Sequence, residues 1–159
     1  MLISETDLFN ARVSWGDEVV NISKSYRDFG IQRAIQCAIT MLDKLYGFHI
    51  GPVLFKPTLS GGVQTFRPTK AGALSYFVGQ NPKYPLDTGF GIKNWQEVTS
   101  ETSAFFIDEN IAMWMGWVSL TDETGGVTKV DKSWGYKRDK DGNLKIMLHH
   151  SSLPYEPCG

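Results

Sequence analysis

His149-His150-Ser151-Ser152 is the densest run of side chains in this chain that could do chemistry. An imidazole takes up and releases protons around an unperturbed pKa of about 6.5, and a hydroxyl can donate to or accept from a small oxyanion. The run ends a segment, Leu144 to Ser151, in which Leu144, Ile146 and Leu148 alternate with Lys145, Met147 and His149. That is the period of a half-buried strand. Continued alternation turns His149 and Ser151 to one face and His150 and Ser152 to the other. A sheet covered on one side can take only one of these pairs inside. For a strand end alone, the simpler reading is that both pairs are satisfied by backbone or solvent.

Other patterns carry less. Asp139-Lys140-Asp141-Gly142 has the start of a calcium loop but lacks the later ligands and the terminal Glu, so a hairpin turn is expected there. Ser60-Gly61-Gly62 lacks the Lys and Ser/Thr of a phosphate-binding loop. Asn21-Ile22-Ser23 has the form of a glycosylation site but falls in a helix of a chain with no export signal. His49 has no partner at ligand spacing and reads as a lone loop histidine. Neither Cys37 nor Cys158 has a second ligand nearby, so no metal and no cofactor is expected. Two free thiols in a reducing compartment fit better than one disulfide.

These residues need elements to position them. Ser4 or Thr6 can cap a helix running to about Ser23, with Leu8, Val13, Trp15, Val19, Val20 and Ile22 apolar. A second helix is expected from about Asp28 to Tyr46, carrying Ile31, Ala34, Ile35, Ala38, Ile39, Leu42 and Leu45 and stopped by Gly47. Val53-Leu54-Phe55 reads as a short strand ended by Pro57. Ala73 to Val78 reads as a second strand, followed by a Pro- and Gly-rich loop and one helical turn around Trp95. Strands at about Glu101–Ile107, Ile111–Thr121, Thr128–Arg138 and Leu144–Ser151 form an antiparallel meander. Trp114, Met115 and Trp117 are then sheet residues of a core or a subunit interface. Helices first and a meander afterwards is an α+β pattern, and residues 1–159 read as a single domain.

Composition narrows the class. Hydrophobic residues are 42% and charged residues 21%, both near globular averages. The net charge is −1, and there is no run of five like charges, which argues against nucleic acid. No apolar run is long enough to span a membrane. Met1-Leu2-Ile3-Ser4-Glu5 lacks the basic-then-apolar pattern of a signal peptide, so the expected location is the cytoplasm.

Four segments together have a more specific look: Val53-Leu54-Phe55-Lys56-Pro57-Thr58, Leu74-Ser75-Tyr76-Phe77-Val78-Gly79, Asp87-Thr88-Gly89-Phe90-Gly91, and Ile146 through Tyr155. They resemble the iota-class carbonic anhydrases, a family related to the association domain of calcium/calmodulin-dependent protein kinase II. The resemblance runs from about Ile31 to Tyr155 and shifts the reading of the His-Ser strand towards function. It implies a cone-shaped fold of the nuclear-transport-factor-2-like (cystatin-like) kind, with N-terminal helices on a curved antiparallel sheet. It also implies reversible hydration of carbon dioxide to bicarbonate, in some members without a metal. The family's substrate-contacting Thr, Tyr, His and Ser fall on Thr58, Tyr76, His149 and Ser151. Tyr76 would share a strand face with Leu74 and Val78, while Phe55, Phe77 and Phe90 would wall a pocket for an uncharged gas.

Zinc enzymes of this activity lower the pKa of bound water to about 7. A protein without zinc needs a general base, and His149 is the expected one. Tyr76 would relay the proton or hold the water, and Thr58 and Ser151 would orient bicarbonate oxygens. A homodimer through the outer sheet face is expected. Two other readings stay open: a non-catalytic association module of the same fold, and an isomerase that uses Asp87 or Asp108 as base.

Overall fold

The computed structural model describes residues 2–158; Met1 and Gly159, which the single-domain and N-terminal readings include, lie outside the described residues. The first helix begins where its capping chemistry dictates. The Ser4 hydroxyl accepts from the Asp7 amide at 3.1 Å, and the Asp7 carboxylate accepts from the Ser4 amide at 2.8 Å, a reciprocal box that satisfies two free donors. Helix α1 (Glu5–Phe29) buries Leu8, Trp15, Val19 and Ile22 and runs past the expected end at Ser23. Gly30 ends it with φ of 91°, a left-handed conformation that a side chain disfavours, so α2 starts at Ile31 rather than Asp28. α2 (Ile31–Leu45) packs Ala34, Ala38, Met41 and Leu42 against the core.

β1 (Leu54–Lys56) follows, and then the clearest departure from the expected layout. Residues Lys70–Val78 form a helix, α3, not a strand. Thr69 caps it by accepting from the Gly72 amide at 3.2 Å, and Gly79 closes it. The segment is buried almost all round, so its apolar run had no period to read, and short apolar runs of this kind do not distinguish helix from strand. Tyr76 therefore does not share a face with Leu74 and Val78. The helical turn expected at Trp95 lies earlier, at Phe90–Ile92. It is held there by the Ser23 hydroxyl, which donates to the Gly91 carbonyl at 2.6 Å and accepts from the Trp95 amide at 3.0 Å. A Cβ at Gly91 would stand 2.8 Å from the Phe77 carbonyl oxygen, so glycine lets this turn seat Phe90 against α3.

Trp95 opens the meander: β2 (Trp95–Asp108), β3 (Ile111–Asp122), β4 (Val127–Arg138) and β5 (Leu144–Ser152). The sheet order is β1-β5-β4-β3-β2. β2 to β5 are antiparallel, as expected, but β1 pairs parallel to β5, so the sheet is mixed rather than antiparallel throughout. Ala112, Trp114, Val118 and Leu120 of β3 face the helices, and Ile111, Met113 and Met115 face outward. The resulting α+β layering puts the core between the helices and the inner sheet face.

One irregularity matters for chemistry. Gly135 pairs with Leu148 and Tyr136 with Ile146, which leaves Met147 as an extra residue in β5. A bulge of this kind shifts the alternation by one. Ile146 and His149 consequently both face inward, although simple alternation sets them on opposite faces.

Candidate active site

Register brings the imidazole of His149 into an aromatic cage. Its partner on β1 is Phe55 and its partner on β4 is Trp134. Cross-strand neighbours share a face, and the ring centroids lie 4.8 Å from Phe55 and 5.1 Å from Trp134. Trp15 of α1 meets the imidazole edge-on at 5.7 Å. His149 and Ser151 are fully buried, whereas His150 is exposed, the separation that strand alternation predicts beyond the bulge.

Both nitrogens of His149 are engaged. Nδ1 lies 2.8 Å from the Tyr46 hydroxyl, just past the end of α2, and Nε2 lies 2.8 Å from Nζ of Lys132 on β4. The Trp15 indole N–H donates to the Tyr46 oxygen at 3.0 Å. Burial, and next the Lys132 charge, hold His149 well below its ordinary range, so the ring is neutral at pH 7. Burial also pushes the Tyr46 hydroxyl strongly up, which keeps its proton on.

The hydroxyl cluster adjoins this cage. The Lys56 ammonium donates to the Ser151 carbonyl at 2.8 Å and fastens the end of β1 to the end of β5. Two residues on, Thr58 places its hydroxyl 2.6 Å from that of Ser151. Tyr76 projects from α3, and its hydroxyl accepts from the Leu59 amide at 3.2 Å. Burial raises Tyr76 to about 12 against the opposing pull of the Leu59 amide and Thr58. It is therefore a hydrogen-bond donor at neutral pH rather than a base. Phe55 meets the Tyr76 ring edge-on at 6.0 Å and stacks on Phe77 at 6.1 Å, and Phe90 stacks on Tyr76 at 5.5 Å.

The structure thus brings Thr58, Ser151 and Tyr76 together as one hydroxyl group. His149 joins them through strand register and the shared Phe55 wall, and its hydrogen bonds go to Tyr46 and Lys132. Lys132, Tyr46, Trp15 and Trp134 did not emerge from the sequence as site residues. For Lys132 there was a signal. Val130, Lys132, Trp134 and Tyr136 occupy the inward positions of β4, and a lysine on that face is out of place unless it has a partner. Among the described residues, Trp134 Nε1 is a buried donor without a protein acceptor.

Asp87 has a structural task. Arg67 donates to its two carboxylate oxygens at 2.7 and 2.8 Å, and the Ser75 hydroxyl donates to it at 2.6 Å. This clamp fixes α3, and with it Tyr76, over the site. Asp108 ends β2 on the exposed surface. Neither carboxylate is placed to serve as a pocket base. His49 pairs with Asp139 at 3.4 Å on a loop. An open cleft of about 720 Å³ is lined by residues including Leu42, Tyr46, Phe48 and His49. It borders Tyr46 rather than the hydroxyls, so it is not read as the substrate site. Among the described residues, no three of His, Cys, Asp and Glu converge as a metal site.

A family described as metal-independent carbonic anhydrase matches residues 6–153. The chain belongs to that family. Within it, a metal-independent carbonic anhydrase from Nostoc sp. (strain PCC 7120 / SAG 25.82 / UTEX 2576) is 46% identical over 154 residues, covering 97% of this chain and 75% of that protein. The crystal structure of an iota-carbonic anhydrase from a cyanobacterium, complexed with bicarbonate, superposes with a TM-score of 0.97 at 45% identity, covering 98% and 95% of the two chains. A calcium/calmodulin-dependent protein kinase II association domain from Xanthomonas campestris shares the fold at a TM-score of 0.58 and 18% identity, covering 96% and 86%. The α+β architecture of the metal-independent carbonic anhydrases is thus also that of association domains, as the sequence resemblance implied.

Proposed function

We propose that this chain catalyses the reversible hydration of carbon dioxide to bicarbonate without a metal ion, in the pocket formed by Thr58, Tyr76, His149 and Ser151. The observation that carries most weight is the near-complete superposition on the iota-carbonic anhydrase complexed with bicarbonate. The chemistry of the pocket supports it. Thr58, Ser151 and protonated Tyr76 offer donors for oxygen atoms on which charge develops during attack on the carbon. Phe55, Phe77 and Phe90 give carbon dioxide apolar walls. His149 is neutral and stands on the base side of the site, with both ring nitrogens held, one by Tyr46 and one by Lys132.

The association-module reading rests on a fold likeness at 18% identity and accounts for none of these polar side chains. The chain is proposed to pair as a homodimer through the outer sheet face, where Ile111, Met113, Met115 and Phe106 are exposed together. Among the described residues, no helix is long and apolar enough to cross a membrane. The two free cysteines suit a cytoplasmic location.

Exchange of ¹⁸O from labelled bicarbonate into water, followed by mass spectrometry, tests the reading. The account expects label loss well above the uncatalysed rate. Loss at the background rate contradicts it.

A further inference from the structure

We propose that Lys132 is the group that takes the proton from water during hydration and then remains as the counter-ion of bicarbonate, with His149 holding it in position. This deepens the carbonic anhydrase reading and rests on it.

Lys132 lies directly opposite Ser151 in the β4–β5 ladder, and both side chains are buried on the inner face. Directly opposed residues have Cβ atoms about 4.5–5.5 Å apart. The Lys132 side chain thus leaves the sheet beside Ser151 and carries its amine to His149. Its hydrogen-bond partner is Nε2 of His149 at 2.8 Å, and no carboxylate pairs with it among the described residues. Trp15 and Trp134 lie with their rings 4.8 and 5.5 Å from Nζ. The anion site proposed above contains hydroxyls and a neutral imidazole, and the Lys56 ammonium is committed to the Ser151 carbonyl, so Lys132 is placed to supply positive charge from the inner face.

Hydrogen-bond accounting then limits the protonation states. In a neutral pair the single imidazole proton can sit on either nitrogen. On Nε2 it donates to the Lys132 amine, and Tyr46 donates to Nδ1. On Nδ1 it donates to the Tyr46 oxygen, the amine donates to Nε2, and the nitrogen lone pair is free. The first arrangement satisfies the donors of Trp15, Tyr46 and His149 along the chain to Lys132. The second is the reactive one. The Nε2 lone pair and the two indole rings favour an ammonium here, but with no carboxylate paired to it they leave much of its desolvation uncompensated. Desolvation moves Lys132 from 10.5 down to about 7, with Asp131 on β4 raising it and Lys56 on β1 lowering it.

The step balances. One O–H bond of water breaks as its oxygen forms a bond to the carbon of carbon dioxide. One C=O electron pair withdraws onto oxygen, and the proton adds to the lone pair of Nζ. A neutral amine, water and carbon dioxide become an ammonium–bicarbonate ion pair, with no change of net charge in the buried pocket. Release of bicarbonate and loss of the proton to solvent restore the amine. An amine that titrates near neutrality meets the requirement for a general base at that pH.

The test compares wild type with Lys132→Met and Lys132→Arg, checking each fold by circular dichroism. Because the base works deprotonated, wild-type kcat for hydration should rise with pH through an apparent pKa of about 7. Lys132→Met should lose kcat by about 100-fold or more, in line with loss of a general base. Lys132→Arg, which cannot deprotonate, should fail to restore it. Retention of kcat within about threefold by a folded Lys132→Met protein, with the pH profile unchanged, overturns the proposal; ~100-fold is the general-base benchmark. Should the variants not fold, ¹⁵N NMR of the lysine side chains in the wild type decides. The Lys132 resonance should titrate near pH 7 and move to higher pH with added bicarbonate. An ammonium that persists to the ordinary value of 10.5, or a titration that ignores bicarbonate, overturns it. A wild type that hydrates no carbon dioxide counts against the enzyme reading, while the NMR measurement still reports on Lys132 separately.

Discussion

The hydroxyls of Thr58 and Ser151 lie 2.6 Å apart and join residues 93 positions distant in sequence. One of them donates to the other, so the pair has one hydroxyl hydrogen left for a ligand. Thr58→Val keeps the shape and removes that hydrogen bond. It should cost about 1–3 kcal/mol of stability, because Ser151 loses a buried partner. Loss of one oxyanion donor typically lowers kcat by about 10²–10³, and both Thr58→Val and Ser151→Ala should fall in that range when assayed for hydration. Wild-type rates in both variants would remove the hydroxyl pair from the mechanism.

His149 and His150 should respond to substitution very differently. His149→Ala strips the Tyr46 hydroxyl and the Lys132 amine of their shared partner. Each buried group left unpaired costs about 1–3 kcal/mol, and hydration should nearly cease. His150 is exposed, so His150→Ala should change stability by no more than about 0.5 kcal/mol and keep most activity. Urea denaturation with parallel rate measurements checks both, and equal loss in two folded variants would contradict the assigned faces.

Tyr76→Phe separates packing from chemistry. The ring, with its contacts to Phe55 and Phe90, is retained, and the hydrogen bond from Leu59 is lost. Stability should fall by about 0.5–1.5 kcal/mol, one hydrogen bond's worth. Activity should fall by about 10², because a reacting atom misplaced by about 1 Å costs that much. Full activity in Tyr76→Phe would take this residue out of the site.

Stability should depend on pH in a definite direction. Lys132 and His149 bind protons less readily folded than unfolded. Wherever the unfolded chain holds more protons, stability rises with pH. The His149 contribution is regained as pH climbs to its ordinary 6.5. The Lys132 contribution grows between about 7 and 10.5. The slope in that second window approaches about 1.4 kcal/mol per pH unit. Denaturant midpoints measured from pH 7 to 9 should rise in the wild type and stay flatter in Lys132→Met. A wild-type slope no steeper than that of Lys132→Met would mean that Lys132 keeps its proton in the fold.

Much of this was legible in the chain itself. The first two helices, the four-strand meander and its turns follow from apolar period, Gly and Asp, and the alternation of His149 with Ser151 follows from strand geometry. Three features were not legible locally. α3 carries a run without a usable period because neighbours bury it on nearly every side. The Met147 bulge depends on the pairing of β5 with β4, which no single strand records. Tyr46 and Trp15 reach His149 only through helix packing. Lys132 lay in between: its place in the inward series from Val130 to Tyr136 was readable, and its partner was not.

The most direct measurement is stopped-flow hydration of carbon dioxide by protein stripped with a strong chelator and shown by elemental analysis to hold no metal. The account predicts undiminished hydration in the stripped protein, no gain from added zinc or manganese, and loss in Thr58→Val and Tyr76→Phe. Hydration that vanishes on chelation and returns with zinc would contradict it.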